Sequence, residues 1–226
     1  YPRQLQWYTP YWTSMTILTH SGRFHPDELF AIATLLVLFP DAEIARSRDE
    51  KAIEAANVTV DVGGEYDPTR GRFDHHQVGG AGERVNGIPY SSFGLVWKEY
   101  GEKVAGSKEA AEKVDMELVQ PIDAHDNGVD ISKPLRTDII PYLFSNVTNI
   151  FGPTWKENDS SLDSAFFQTL PLFQKVLERQ IAHARDDIEG ERAVEVAYKE
   201  AEDKRLIVID EPYHWQHVCA SHPEPL

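Results

Sequence analysis

Apolar and polar positions along this chain fall into short blocks whose period switches between two and about 3.6, the repeats of strands and helices. Thr16 to Thr19 is a short β-rich run, and Asp27 to Phe39 follows as a helix that is apolar on every side. A helix without a polar face must be buried, so this segment is expected near the centre of the molecule. Ala42 to Ala45 is a second extended run, Arg48 to Ala56 a second helix, and Val58 to Val62 a third run. Strands interleaved with helices of this length predict βαβ units, hence an α/β fold with a parallel β-sheet flanked by helices. Turn residues Gly63, Gly64, Asp67, Pro68 and Gly71 come next. Arg72 to His75 then forms a short extended piece, and Val78 to Asn86 a glycine-containing loop. Helices are expected over Ser92 to Tyr100 and Ser107 to Ala124, the second stopping before Asn127-Gly128.

After Pro134 the chain turns loop-rich and then helical. Phe166, Leu170, Phe173, Leu177, Ile181, Ala184 and Ile188 recur at spacings of three and four, which makes one apolar stripe. Pro171 is expected to kink that stripe or to start a helix. Leu206 to Ile209 is expected as a further strand. The change of character divides the chain into an α/β domain over residues 15–135 and a second, mainly helical lobe over 136–226. Residues 1–14, rich in Tyr, Trp and Pro, are either a non-native leader ahead of Met15 or an arm that packs its aromatics on the body. The longest apolar run, Leu29 to Phe39, falls well short of the roughly 20 residues of a membrane-spanning helix, so no membrane partner is expected.

The chain has 226 residues, enough for one large domain or two small ones. Its 22 basic and 37 acidic residues give a net charge of −15, which argues against wrapping long duplex nucleic acid and tolerates bound cations. The one cysteine, Cys219, excludes an intrachain disulfide framework and four-cysteine zinc sites. It fits a reducing compartment: the cytoplasm by default, an organelle or the nucleus in a eukaryote.

Metal-ligand residue types concentrate at four places, each at an expected strand end or the loop after it. The first carries His20, His25 and Asp27 between the first run and the buried helix. Ligands of open parallel sheets bind at the carboxyl ends of strands, so these side chains belong to that edge. A helix-start role for Asp27 is the alternative. Asp61 ends the third run and would project at the same edge, where a carboxylate can bridge two cations; a plain turn aspartate is its alternative. The third place is Asp74-His75-His76. Adjacent histidines in an extended segment face opposite sides, so one is expected on metal and the other on substrate, with Asp74 ordering them by hydrogen bonding. The fourth is the helix end with Asp123 and Asp126, three apart on one face. Together these supply five or more oxygen and imidazole ligands and no thiolate, which favours Mn²⁺, Mg²⁺ or a similar cation over structural zinc. A pair of cations that activates a water and clamps phosphoryl oxygens points to phosphoester or phosphoanhydride hydrolysis.

Asp74-His75-His76, preceded by a strand-end aspartate and a His-x-x-x-x-His-x-Asp segment, resembles the DHH phosphoesterase superfamily. More closely, the chain resembles the Myg family, described both as metal-dependent protein hydrolases and as exonucleases. The matching pieces are His20 to Glu28, Asp61 to Pro68, Arg72 to Gln77, Ser91-Ser92-x-Gly94-Leu95 and Asp123 to Gly128. The resemblance implies a DHH-like fold whose second lobe is incomplete at the C-terminus. It implies one Mn²⁺ on His20, His25 and Asp61, and another on Asp27, Asp61, His75 and either Asp123 or Asp126. His76 would face phosphate, and Arg23, Arg46, Arg48 and Arg72 are candidates to hold substrate oxygens, with surface ion pairing as their alternative.

The leading expectation is a metal-dependent hydrolase, a 3′-to-5′ exonuclease on short RNA or DNA that uses a two-metal-activated water, with Asp61, His75 and His76 at its catalytic centre. A small-molecule phosphatase, pyrophosphatase or cyclic-dinucleotide phosphodiesterase is the alternative among enzymes, and a metal-binding regulatory protein without turnover the alternative outside them. Expected partners are a short oligonucleotide or small phosphorylated substrate, and a homodimer is compatible with the chain. His214, His217, Cys219 and His222 match no standard zinc spacing and are expected to pack.

Overall fold

The structure is a computed structural model that describes residues 15–136, 138–157 and 162–223. The aromatic segment 1–14 lies outside the described residues. Strands β1 (Thr16–Thr19), β2 (Glu43–Arg46), β3 (Val58–Val60), β4 (Tyr66–Asp67) and β5 (Arg72–Phe73) form one sheet in the order β2-β1-β3-β5-β4. β1 is parallel to β2 and β3, and β3 to β5, while β4 pairs antiparallel with β5 at the edge. Along β1 the side chains alternate: Ile17 joins Val58, Val60 and Phe73 in the main core, and Leu18 meets Ala56 and Val62 on the other face. The last pair of the β1–β3 ladder is Thr19 opposite Val60, so His20 and Asp61 leave the sheet side by side.

Helix α1 (Pro26–Leu38) joins the main core, and α2 (Glu50–Ala55) packs Ala52 and Ile53 on the opposite face. Right-handed crossovers running in opposite directions produce this two-sided cover. The chain leaves β1 toward β2 but leaves β3 toward β5, which makes the crevice at the carboxyl ends of β1 and β3 a topological switch point. As its all-round apolar character requires, α1 is buried from Pro26 through Leu35. It lies against α3 (Ser92–Ala105) and α7 (Leu162–Glu200), with Phe30 ring contacts to Phe93 and Phe173 at 5.1 and 4.6 Å.

The helix expected over Ser107 to Ala124 is one run in three parts: α4 (Lys108–Val114), a π-turn over Asp115–Val119 and α5 (Gln120–Asp126). Pro121 explains the π-turn. Proline lacks an N–H and crowds the carbonyl one turn back, and a local i→i−5 bond, Gln120 N–H to Asp115 O, widens the helix just before it. A short helix, α6 (Phe144–Phe151), precedes α7.

Two expectations are corrected. Of the two roles expected for Pro171, starting a helix is excluded, because α7 runs through it for 39 residues. Its ring faces solvent, as does Phe167 at the carbonyl it frees, while Phe166, Leu170 and Phe173 on the other side are held in the core. The stripe continues through Leu177, Ile181 and Ala184, so the first half of α7 shares the core of the sheet. Leu206 to Ile209 is not a strand. Ile207 and Ile209 pack on Val194 and on Val218 and Cys219 of α8 (Gln216–Ala220), and no described strand lies beside them to supply a ladder. Among the described residues, no helix is long and apolar enough to cross a membrane.

Candidate metal centre

Two loops build the centre at the switch point. After β1 the chain bulges through Ser21, Gly22 and Arg23, with Gly22 at φ +98°. Two guanidiniums brace the bulge from β2 and the residues after it: Arg46 Nη2 donates to Gly22 O at 2.7 Å and Arg48 Nε to Ser21 O at 3.1 Å. Arg46 also pairs with Asp163 and lies over the rings of Phe24 and Phe166. The chain then enters α1 at Pro26, where Glu28 Oε2 accepts from the His25 N–H at 2.8 Å and so caps the helix start. The other oxygen of Glu28 stands 3.0 Å from His20 Nε2.

Asp61, one residue past β3, is the hub. It adopts a left-handed backbone at φ +57°, which aspartate tolerates better than most residues, and its carboxylate turns into the crevice. His20 Nε2 lies 3.2 Å from Oδ2, while His75 Nε2 and His76 Nδ1 each lie 3.4 Å from Oδ1. Ser92 Oγ donates to Oδ1 at 3.1 Å. Asp126 closes the far side, with Oδ2 3.2 Å from His75 Nε2. Asp74 is buried and organises both loops. Its Oδ1 accepts from the backbone N–H groups of His75 and His76 and pairs with His76 Nδ1 at 2.8 Å, and its Oδ2 accepts from Gly64 N–H at 2.6 Å.

The charges here are strongly interdependent. Burial disfavours protonated His20, yet hydrogen bonds and attraction from Asp61 and Glu28 prevail and push it up to about 10. His75 is likewise pushed up to about 10, with Asp126 and Asp61 overcoming burial. For Asp61 burial opposes ionisation, but His20 and His75 hold the carboxyl below the usual range. Asp27 goes the other way: burial first, then the charges of Asp61, Asp126 and Glu28, raise it well above an ordinary aspartate.

A cation fits this arrangement on the chemistry of its orphaned atoms. Both carboxylate oxygens of Asp27 are buried without a hydrogen-bond partner, and Glu28 Oε1 and His75 Nε2 are buried with only the ionisable groups named above beside them. Groups in that condition are costly unless something else satisfies them. Three sets of donor atoms lie within 4.8 Å of one another: His20, His25, Glu28 and Asp61; Asp61, His75 and His76; and His25, Asp27 and Asp126. Asp61 and His25 each belong to two sets, so the sets form one continuous centre.

The structure therefore brings together His20, His25, Asp27, Asp61, His75, His76 and Asp126. Asp123 stands apart from them. It is fully buried against Arg84 Nη1 at 2.6 Å, Ser91 Oγ at 2.5 Å and Gly94 N–H at 3.0 Å. His75 and His76 do not face opposite sides: β5 ends at Phe73, and the turn anchored by Asp74 leads both rings to Asp61. They differ in exposure instead, His75 being nearly enclosed and His76 open to solvent. Arg72 sits at the other end of the sheet, where its guanidinium donates to Ala56 O at 3.1 Å and to Arg70 O at 3.1 Å. Arg46 and Arg48 hold the bulge, which leaves Arg23 as the candidate arginine with no protein partner among the described residues. Glu28 is the member that sequence reasoning missed. Its signal was a carboxylate in the first turn of an otherwise apolar, enclosed helix. The tail histidines are engaged elsewhere, His214 with Asp187 and His222 with Glu195.

Residues 16–224 match the family MYG1_exonuc, described as uncharacterised protein family UPF0160. The chain is 31% identical over 223 aligned positions to the MYG1 protein C27H6.8 of Caenorhabditis elegans, covering 85% of this chain and 64% of that protein. It is 34% identical to the MYG1 exonuclease of Homo sapiens, over 70% of this chain and 47% of the human protein. Identity to the MYG1 protein YER156C of Saccharomyces cerevisiae is 35%, over 68% of this chain and 52% of the yeast protein. The chain thus spans about half to two thirds of these relatives. No solved structure matches it significantly.

Proposed function

This chain belongs to the MYG1_exonuc family, and on that premise we propose that it is a divalent-metal-dependent phosphohydrolase, an exonuclease that trims short RNA or DNA from the 3′ end. The observation that carries the reading is the position of Asp61: a charged carboxylate at the switch point with three imidazoles within 3.4 Å of its two oxygens. The name exonuclease belongs to the human relative, and the centre described above is suited to that chemistry. The DHH phosphoesterase placement is supported by the Asp74-His75-His76 turn and its strand-end partner Asp61.

His20, His25 and Asp61, joined by Glu28, would hold one cation, and Asp27, Asp61, His75 and Asp126 the other. Oxygen and imidazole donors without thiolate favour Mn²⁺ or Mg²⁺. When bound, the cations supply an activated water and neutralise charge on the phosphoryl oxygens. The protein does the positioning. Asp74 fixes the ring of His76 through Nδ1, so Nε2 of that exposed imidazole is presented to a phosphate at the mouth. Asp74 also ties the His75-His76 turn to Gly64 beyond Asp61, so metal-side and substrate-side groups keep one spacing. A net charge of −15 disfavours long duplexes, and a short substrate leaves fewer phosphates to neutralise.

The test is hydrolysis of a short labelled oligonucleotide with Mn²⁺ by the native chain and by Asp61→Asn. Asparagine adopts the same left-handed backbone readily, so this variant removes charge without adding strain. Loss of at least a thousandfold in rate is expected; equal rates would remove the proposal.

A further inference from the structure

The bulge after β1 also faces α6. Between them lies a cleft of about 330 Å³, lined by Arg23, Phe24, Thr148, Asn149, Pro153 and Leu162. Its volume is at the small end of the roughly 300–1,000 Å³ of ligand sites, the scale of one small ligand rather than a stretch of polymer. The cleft shares its loop with the metal centre, because Arg23 lies between His20 and His25 in the chain.

The polar groups of the cleft are unequal in kind. Arg23 offers a forked cation, and Asn149 an amide with a donor and an acceptor side by side. Both residues are exposed, and neither has a hydrogen-bond or ion-pair partner among the described residues. Arg46 and Arg48, by contrast, spend their donors on the carbonyls of Gly22 and Ser21, and so hold rigid the backbone from which Arg23 projects. Phe24 and Thr148 are buried beneath these groups, with Pro153 and Leu162 beside them. A fork for an anion and an amide for a heteroaromatic edge in one small polar cleft match one ligand class, a mononucleotide unit.

We infer that this cleft is the binding subsite for a single nucleotide of the substrate, with Arg23 on its phosphate and Asn149 on its base edge. The inference rests on the phosphohydrolase reading for its choice of substrate, but its test does not pass through turnover. A subsite for one unit beside the metal centre would make the enzyme engage the end of a strand.

The experiment is calorimetric binding of adenosine 5′-monophosphate and of ribose 5-phosphate to the 226-residue chain in chelator, repeated with Arg23→Ala and Asn149→Ala. The native chain is expected to bind the nucleotide at least tenfold more tightly than the sugar phosphate. Asn149→Ala should abolish that ratio, and Arg23→Ala should weaken both ligands at least fivefold. Melting temperatures should not move, since both side chains lack protein partners. A nucleotide preference that survives Asn149→Ala, or a native chain that does not distinguish the two ligands, would overturn the inference. If nucleotide binding depends on Asn149 while the oligonucleotide is never cut, the subsite stands and the hydrolase proposal falls.

Discussion

Arg84 Nη1 lies 2.6 Å from Asp123 Oδ2 beneath the loop that follows the paired histidines, and both side chains are almost wholly removed from solvent. The same guanidinium reaches Asp115 in the π-turn through Nε and Nη2, at 3.2 and 2.7 Å. It therefore staples the glycine-rich loop to the helix that ends at Asp126. Gly94 completes the site: a Cβ there would stand 1.9 Å from Asp123 Oδ2, so only glycine lets α3 pass this close.

Arg84→Ala should destabilise the fold by about 3–5 kcal/mol, the cost of leaving a buried carboxylate uncompensated. Burial already lifts the Asp123 carboxyl to about 6 against the pull of Arg84, Ser91 and Gly94 N–H. Asp123→Asn, which removes the charge and keeps the shape, should cost less. Urea denaturation of both variants decides the matter, and a change under 1 kcal/mol for Arg84→Ala would show the pair to be dispensable.

Metal binding should release protons. His20 and His75 are each raised to about 10 from an unfolded value near 6.5, so the metal-free fold favours their charged forms. The stability they add is complete below pH 6.5 and drains away as pH climbs toward 10. A cation takes the place of those protons, so Mn²⁺ affinity should rise over the same interval. Melting curves from pH 6 to 10 should fall in chelator and flatten with Mn²⁺. Calorimetry at pH 8 in buffers of different ionisation enthalpy should detect the released protons, and their absence would contradict this assignment of charge.

Asp27→Asn separates stability from function. Its two oxygens are buried without partners, among the like charges of Asp61, Asp126 and Glu28. Asparagine is neutral without taking up a proton, so this change should raise the melting point of the metal-free protein near neutral pH, by about 2–4 °C for each kcal/mol relieved. The same change should lower Mn²⁺ affinity tenfold or more. A variant that melts lower and binds Mn²⁺ as before would place Asp27 outside the centre.

Arg72→Ala should behave in the opposite manner. The side chain is spent on backbone carbonyls at the far end of the sheet, so about 1–3 kcal/mol of stability should go with it. Mn²⁺ binding should stay unchanged. Denaturation and a metal titration on the same preparation measure both.

Much of this architecture can be read from residue pattern alone. The alternation of short β-rich runs with helices locates β1, α1, β2, α2 and β3 to within one or two residues, because each element meets its own periodicity and its own neighbours in sequence. Ligand types at the strand ends then converge as a parallel sheet requires. What pattern leaves out depends on partners distant in the chain. Asp123 and Asp126 are indistinguishable by type and spacing, and only the approach of Arg84 from 39 residues away diverts the first. The four arginines look alike in sequence, yet two close on the carbonyls of one bulge and a third on the reverse edge of the sheet. Pro171 argues for a kink or a helix start, and the helix runs on through it with its opposite side held in the core. The final run, Leu206 to Ile209, is apolar and rich in β-branched residues, but no described strand lies beside it.

The ladder that seats Thr19 against Val60 has a consequence for how the molecule tolerates change in length. Because His20 and Asp61 are the very next residues on neighbouring strands, their separation is inherited from the spacing of the backbone. Insertions in the connection between α1 and β2, or at the far end of α7, leave that separation untouched. Deleting one residue from β1 or β3 instead slips the ladder by one position and throws one of the two side chains onto the wrong face. Length variation among sequences of this kind should therefore crowd into the connections and spare these two short strands.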